Sequence, residues 1–311
     1  MTRYIAGLDI GGTTGRMKLK NLEGESLGEV YGQGCSINTD GDKKSEERYR
    51  NLVLPALEER MLTPRDCASI CIAASGIDSQ ELKESCLRAF LNMGFQEKAI
   101  LIQNDCEIFL YLSEAPSLVL VAGTGSICYG KDGTGSIVRT GGWGHILSDE
   151  GSAFYIGLGI MKHVGSHMDG REDCQVLYED FYKQTGIRNL SELNEYINAN
   201  LMDKAVIAAL APLVSRSFEA GEHAGISIIR ESTEALADLV KDNCKKLGLD
   251  QDQEVSLWLW GSVLLENEHL RRRLESRIRG CCSRVEIKIP EKSALDVAVE
   301  VAYFNYAAKH S

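Results

Sequence analysis

Several features that mark other classes of protein are scarce in this chain of 311 residues. Positive charge is in deficit, and the formal net charge of -11 argues against nucleic acid or an anionic membrane as the main partner. No apolar run has the length that a membrane span requires. The ten cysteines form no C-x-x-C pair, which favours reduced thiols in the core over a metal centre. The amino terminus, MTRYIAGLDI, enters a strand pattern without a signal-peptide segment, so we expect a cytoplasmic protein.

The alternation of apolar and polar residues predicts the same series of elements twice. Three short strands joined by tight turns come first, and helices then alternate with strands; the series starts again near residue 118. This order predicts an α/β fold with two similar lobes. We expect one lobe to contain residues 1–116 and 295–311 and the other to contain residues 117–294, with a hinge near Ala115–Ser117.

A glycine-rich stretch, YIAGLDIGGTTGRMKLKNLEG, opens the first lobe. It lacks the Lys of a P-loop and the helix that follows a dinucleotide fingerprint. The residues after Gly15 alternate apolar and charged, as in a half-buried strand, so the glycines lie at the tip of a β-hairpin. A second glycine turn, VAGTGS, opens the second lobe. Two such turns on like lobes predict an actin-like (ribonuclease H-like) fold that holds the phosphates of a nucleotide in a cleft.

The two turns supply the candidate phosphate-binding residues. Glycine permits a positive φ angle and close approach of a ligand to the backbone, and threonine and serine add hydroxyl donors. A plain hairpin turn is the alternative for the first motif alone, but the motif occurs twice at corresponding places. The candidates are Gly11, Gly12, Thr13 and Thr14 in the first turn and Gly123, Thr124, Gly125 and Ser126 in the second.

Two aspartates follow predicted strands. Asp9 ends the first strand just before the glycine turn, where burial calls for a charged partner, and Mg²⁺ bound to ATP, probably through water, would supply one. Asp105 follows the apolar run AILIQN, at the strand end where ligands bind in open α/β sheets. A carboxylate there is a candidate general base, and the alternative is an N-cap of the segment CEIFLYL.

The stretch RTGGWGHILSDEGSAFYIG, residues 139–157, is the most specific in the chain. Glycines surround Trp143, whose ring would cover an apolar sugar face if it is exposed and would otherwise pack in the core. Asp149 or Glu150 is expected to face the ligand, and Ser152 is expected to cap the following helix.

Six motifs in order, DIGGTTGR, AASGID, QNDCE, AGTGSICYG, GGWGHILSDEGSA and LWGSVLLENEHL, resemble the BadF/BadG/BcrA/BcrD ATPase family over essentially the whole chain. Within it the likeness is to N-acetylglucosamine kinases, which implies transfer of the ATP γ-phosphate to the 6-hydroxyl of an amino sugar, with Mg²⁺. The resemblance assigns the catalytic base to Asp105 and the metal-side carboxylate to Asp9. It assigns adenosine to Gly261 and Ser262, and the sugar to Asn38, Ser75, Gly76 and Asp149.

Two departures leave the acceptor open. The substrate loop reads NTDG, with Asp40 near the place where vertebrate-type enzymes have an aromatic residue, and residues 165–221 carry no motif of the family. Glucosamine, N-acetylmuramic acid or another hexose derivative therefore remains an alternative to N-acetylglucosamine. We further expect a homodimer.

Two other functions compete with the kinase. An activator ATPase of 2-hydroxyacyl-CoA dehydratases requires a [4Fe–4S] cluster with cysteine ligands, for which Cys128 and Cys174 are the candidates, but neither lies in a glycine-rich setting. A sugar sensor without catalysis is disfavoured by the presence of Asp9 and Asp105.

Overall fold

The computed structural model describes residues 3–114, 116–249, 253–282 and 284–309. Within these ranges the chain divides into two compact units. The first unit is Met1–Leu112 with Pro290–Ser311, and the second is Ser113–Ile289. Residue 115 of the expected hinge lies outside the described residues.

The described residues form ten strands, twelve α-helices and four short 3-10 helices. The strands are β1 Tyr4–Ile10, β2 Thr14–Asn21, β3 Ser26–Gln33, β4 Cys67–Ala74, β5 Ile100–Asn104, β6 Ser117–Ala122, β7 Ser126–Lys131, β8 Ile137–Gly141, β9 Val255–Trp260 and β10 Val285–Lys288. The helices are α1 Ile37–Asp40, α2 Asp42–Glu58, α3 Gln80–Asn92, α4 Ala153–Met168, α5 Gln175–Thr185, α6 Leu190–Asn200, α7 Lys204–Ala208, α8 Val214–Glu219, α9 His223–Lys246, α10 Ser262–Glu266, α11 Glu268–Cys281 and α12 Ala294–Ala308. The 3-10 helices are Pro64–Asp66, Glu97–Ala99, Glu107–Leu112 and Ala211–Leu213.

Each unit is built on a five-stranded mixed sheet, and the two sheets have the same plan. The first has the strand order β3-β2-β1-β4-β5, and the second has the order β8-β7-β6-β9-β10. In both, the first three strands form an antiparallel meander and the last two run parallel to the central strand. The expected α/β fold with two similar actin-like lobes is confirmed.

The central strand of the first sheet is buried along its whole length. Its sequence, YIAGLDI, is almost continuously apolar, as expected for a strand covered on both faces. Helix α12 comes so close to β1 that a Cβ on Gly7 would lie 2.5 Å from the backbone nitrogen of Val299. The neighbouring β2 alternates instead, burying Met17 and Leu19 and leaving its charged residues at the surface.

The second unit carries more helices than the first. The long helix α9 lies on β7 and β8, where Asn243 Nδ2 donates to the carbonyl of Cys128 at 2.9 Å. Thr140 Oγ1 donates to the carbonyl of Leu239 at 2.9 Å, so the outer strands are fixed to α9 by side-chain hydrogen bonds as well as by apolar contact. No helix in the described ranges is both long and apolar enough to cross a membrane.

Three predicted elements differ from the structure. The single helix expected over residues 264–279 is divided at Asn267, whose side chain accepts a hydrogen bond from Leu270 N and caps α11. Gly165 lies inside α4 and does not interrupt it, and the helix ends at Met168. The segment after Asp105 forms a 3-10 helix, Glu107–Leu112, in place of an α-helix.

Candidate active site

The carboxyl ends of three parallel strands meet at one edge of the first sheet. Asp9 pairs in register with Ala73 of β4, and Ala74 pairs with Asn104 of β5. The residues that follow these strands therefore lie side by side: the first glycine turn, Ser75 with Gly76, and Asp105. This edge gathers the sequence-predicted residues of the first unit, apart from those of the substrate loop.

The first glycine hairpin, residues 10–15, is a tight turn in which Gly11 N donates to the carbonyl of Thr14 at 3.0 Å. Its glycines do not adopt the positive φ angles expected from the sequence. The need for glycine here is open space: a Cβ on Gly12 would have no neighbour within 4 Å, so the tip presents bare backbone. Such a tip lets a ligand reach backbone N–H groups, which suits phosphate.

A second glycine supports this tip from below. A Cβ on Gly34 would lie 2.1 Å from the Gly11 carbonyl oxygen, and Gly34 N donates to the Thr13 carbonyl at 2.9 Å. Arg48 in turn donates to the carbonyl of Gly34 at 2.6 Å and to the carboxylate of Asp40 at 3.0 Å. The hairpin and the predicted substrate loop are thus held by one guanidinium.

Asp9 is buried, with 7% of its surface exposed, and its charged partner comes from the chain itself. Arg16, directly opposite on β2, donates to Asp9 Oδ2 at 2.5 Å. Burial raises the pKa of Asp9, and the nearby guanidinium opposes that rise. Burial of Asp9 consequently does not require a metal ion, although a carboxylate beside a phosphate turn remains a suitable oxygen ligand for Mg²⁺ or its water shell.

Asp105 lies among other acidic groups at the end of β5. Burial raises its pKa to about 6, and the negative charges of Asp9 and Asp78 add to the rise. Asn104 organises this corner: it donates to Asp78 Oδ1 at 3.2 Å and accepts from Cys106 N at 2.9 Å. A carboxylate with such a pKa is ionised near neutral pH and still basic enough to accept a proton.

The predicted sugar loops of the first unit are adjacent. A Cβ on Gly76 would lie 2.3 Å from Ser36 Oγ and 3.2 Å from the Cβ of Asn38, so only glycine allows this contact between the two loops. Gly76 has a φ of 77°, which also favours glycine. Ser75 N donates to the carbonyl of Ile10 at 2.8 Å, which joins the loop to the end of β1. Asn38 itself is exposed at this junction.

The second glycine hairpin, residues 122–126, is fixed by the start of helix α4. Ala153 N donates to the Gly123 carbonyl at 2.8 Å, and Ser126 Oγ donates to the Glu150 carbonyl at 2.7 Å. Ser152 accepts from Tyr155 N at 3.2 Å, which confirms the predicted helix cap. The expected positive φ is again absent from the glycines of the turn.

Asp149 lies directly behind this second hairpin. Only 4% of its surface is exposed, and Oδ1 accepts from Ser126 N at 3.3 Å. A Cβ on Gly125 would lie 2.8 Å from Oδ2, so the glycine makes room for the carboxylate. Burial raises the pKa of Asp149, and the Ser126 amide opposes that rise. The described contacts thus associate Asp149 with the hairpin; its predicted contact with sugar hydroxyls is untested.

Trp143 is exposed over 66% of its surface, so the alternative of core packing is wrong. The guanidinium of Arg139 lies 3.8 Å from the centre of its ring, which covers one face by a cation–π contact. Gly142 and Gly144 on either side have positive φ angles and give the ring little side-chain cover.

The predicted adenosine loop packs on the second hairpin. Gly261 has a φ of 98°, and a Cβ there would lie 2.4 Å from the carbonyl oxygen of Ala122. Beside this loop is a cavity of about 310 Å³, which is large enough for a small ligand. Its walls come from α4, α10 and the segment between α7 and α8, and include Ala153, Ile156, Ala209, Pro212, Ser262 and Glu266.

Sequence reasoning missed four residues of these sites. Asp78 follows β4 as Asp105 follows β5, so the same strand-end rule would have found it. Arg16 is the register partner of Asp9 in a hairpin that the sequence predicted. Gly34 and Pro212 gave no usable signal, because their importance depends on contacts between segments distant in sequence.

Comparison with known proteins places this site in a family. The model of the BadF/BadG/BcrA/BcrD ATPase family matches residues 6–300. The chain is 30% identical over 264 residues to the N-acetylmuramic acid/N-acetylglucosamine kinase of Clostridium acetobutylicum, covering 84% of this chain and 86% of that protein. It is 28% identical over 217 residues to the N-acetyl-D-glucosamine kinase of Dictyostelium discoideum, covering 68% and 67%.

A solved structure agrees on the fold. The crystal structure of a candidate N-acetylglucosamine kinase from Chromobacterium violaceum has a TM-score of 0.72 at 20% identity, covering 97% of this chain and 99% of that chain. The fold and the two glycine hairpins define a protein of the actin-like and sugar-kinase class. More particularly, the chain belongs to the BadF/BadG/BcrA/BcrD ATPase family, as its motifs predicted.

Proposed function

We propose that this protein is a kinase that transfers the γ-phosphate of ATP to the 6-hydroxyl of N-acetylglucosamine or a related hexosamine. The observation that carries the proposal is Asp105, a carboxylate with a pKa raised to about 6 at the end of β5. The first glycine hairpin and the Asn38–Gly76 junction lie in the same unit. The kinase names of the two curated relatives support the same reaction class.

In the proposed reaction Asp105 accepts the proton of the sugar hydroxyl as its oxygen attacks the γ-phosphorus. The bond from that phosphorus to the bridging oxygen breaks, and ADP leaves. The hairpin backbones at Gly12 and Gly123, which face open space, are suited to hold phosphate oxygens. Bound Mg²⁺ would neutralise phosphate charge, and the acidic side chains of Asp9, Asp78 and Asp105 fit a hard cation or its water shell.

Each ligand has a proposed set of contacts. The adenosine is assigned to the 310 Å³ cavity beside Gly261 and Ser262, where small apolar residues would pack on the base and Glu266 would meet a ribose hydroxyl. The sugar is assigned to Asn38, Ser75 and Gly76, with Trp143 and Asp149 as further predicted contacts.

The activator-ATPase reading receives no support from the cysteines it would need. Cys128 and Cys174 are both fully buried, and burial holds the pKa of each thiol above its usual range. A cluster shared between subunits requires thiolates at a surface. Cytoplasmic location and a homodimer stay predictions; light scattering of the purified protein would test the second.

The direct test is a coupled assay of ADP release with ATP, Mg²⁺ and a panel of acceptors. The panel contains N-acetylglucosamine, glucosamine, N-acetylmuramic acid and glucose. We expect one amino sugar to be consumed in equal amount to ADP, with slow hydrolysis in its absence. Phosphorus–carbon coupling in the NMR spectrum of the product identifies the phosphorylated carbon. Brisk ATP hydrolysis that no acceptor changes would contradict the kinase assignment.

A further inference from the structure

A cluster of two histidines and a glutamate lies in the second unit, in the part of the chain without family motifs. His163 is in the second half of α4, Glu172 is in the loop before α5, and His223 is the first residue of α9. The three side chains therefore come from three segments that are separate in sequence.

The ligand atoms of the cluster converge. His163 Nδ1 lies 2.8 Å from Glu172 Oε2, and His223 Nδ1 lies 3.2 Å from Glu172 Oε1. All three groups offer a ligand atom within 4.8 Å of the others. Burial alone would raise the pKa of Glu172, but its contacts with His163 and His223 lower the pKa overall, so the carboxylate is ionised at neutral pH.

These distances suit a small metal ion. Ligand atoms about 2.0–2.1 Å from a tetrahedral zinc ion lie roughly 3.3 Å from one another, within the range that the cluster spans. The side chain of His223 is 75% exposed, so its ring can turn by the small amount required and water can fill a fourth position. Two imidazoles and one carboxylate favour Zn²⁺, Co²⁺ or Ni²⁺, whereas Mg²⁺ prefers oxygen ligands alone.

We propose that His163, Glu172 and His223 bind one divalent transition-metal ion, with zinc as the expected occupant. The ion would join α4, the loop before α5 and α9. The first turn of α4 is bonded to the second glycine hairpin, and α9 is bonded to β7 and β8. His163 is ten residues into α4, about 15 Å from that hairpin, so the site is structural and distinct from any Mg²⁺ bound with ATP.

Two measurements on the full-length protein test the site after treatment with chelator. Calorimetric titration with ZnCl₂ should give one ion per chain, and excess Mg²⁺ should not compete. Titration with Co²⁺ should give d–d absorption bands without a thiolate charge-transfer band, since no cysteine belongs to the cluster. Zinc should also raise the thermal unfolding temperature, because the ion binds only the folded arrangement.

Variants decide whether the cluster is responsible. His223→Gln removes an exposed ligand with little risk to folding, and it should weaken zinc binding by more than about 10-fold and abolish the thermal shift. His163→Gln should do the same. The matched control is His269→Gln, because His269 also contacts one glutamate, Glu219 at 2.9 Å, but belongs to no such trio in the described residues. The proposal is overturned if wild type binds no zinc, if His223→Gln binds as tightly as wild type, or if a thiolate band accompanies Co²⁺.

Discussion

Arg16 donates to the carboxylate of Asp9 at 2.5 Å, directly across the first glycine hairpin. The guanidinium occupies the negative charge that sequence analysis reserved for magnesium. If Asp9 also faces the ion or its water shell, Arg16 and the metal compete for one carboxylate. The pair is therefore a means of testing whether Asp9 takes part in metal binding or only closes the hairpin.

The first prediction uses this competition. Asp9→Asn should lower turnover and raise the Mg²⁺ concentration needed for half-maximal rate, because a negative ligand is lost. Arg16→Gln should lower that concentration, since the carboxylate is released from its partner. The assay is run at pH 8, because loss of Arg16 would raise the pKa of Asp9 further. Unchanged Mg²⁺ dependence in both variants would leave Asp9 a structural role alone.

The second prediction concerns the proposed base. Asp105→Asn should reduce kcat about 100-fold or more while the KM for ATP stays within a few-fold, as expected when a general base is lost. Steady-state kinetics with the best acceptor measure both. Glu81→Gln is the matched control, since it neutralises an exposed carboxylate in the same unit. Near-normal kcat in a folded Asp105→Asn protein would exclude the role.

The third prediction follows from the same carboxyl group and concerns stability. The pKa of Asp105 is about 6 in the folded protein and near the model value of 3.8 when unfolded. Between these values the folded state binds more protons than the unfolded state, so its stability falls as pH rises. Below pH 4 both states are protonated and the penalty is absent; above pH 6 it is complete.

Asp105→Asn should therefore gain stability over wild type at pH 7.5 and gain less at pH 4.5. Thermal unfolding of both proteins at the two pH values measures the difference. Glu81→Gln should show no comparable change with pH. A gain for Asp105→Asn that is equal at both pH values would mean that the carboxyl is not desolvated as the structure indicates.

The fourth prediction concerns the space behind the second hairpin. In Gly125→Ala the new Cβ would lie 2.8 Å from Asp149 Oδ2, so the carboxylate must move and its bond with Ser126 N is disturbed. The KM for ATP should rise about 10-fold, equivalent to about 1.4 kcal/mol. Gly133→Ala is the control in the same sheet, because a Cβ there has no neighbour within 4 Å. Equal KM values for the two variants would contradict this account.

Much of the fold could be predicted because local patterns determine it. The alternation in RMKLKN identified β2, the continuous apolar run YIAGLDI identified β1, and the repeated order of elements identified the second unit. The break at Asn267 was missed, because an N-cap inside an amphipathic pattern gives no change in periodicity.

The candidate site was predictable where it follows strands and unpredictable where it depends on packing. Asp105 and the two glycine turns lie at strand ends, which sequence reveals. The reason for their glycines did not follow from sequence: Gly125 makes room for Asp149, twenty-four residues away by position, and needs no positive φ. The cavity wall at Ala209 and Pro212 lies in a region whose helices carry no motif.

The last prediction separates the two ligands of the proposed kinase. Ala209 is exposed on the wall of the 310 Å³ cavity beside Ser262, and Ala209→Trp would place an indole in that space. The KM for ATP should rise about 10-fold or more, because a filled pocket excludes the base, while the KM for sugar changes little. Asn38→Ala should give the reverse, since Asn38 lies exposed beside Gly76 in the first unit and far in sequence from the cavity. Initial rates over a matrix of ATP and sugar concentrations give both constants. If Ala209→Trp leaves the ATP constant unchanged, adenosine binds elsewhere, and the assignment of Gly261 and Ser262 fails with it.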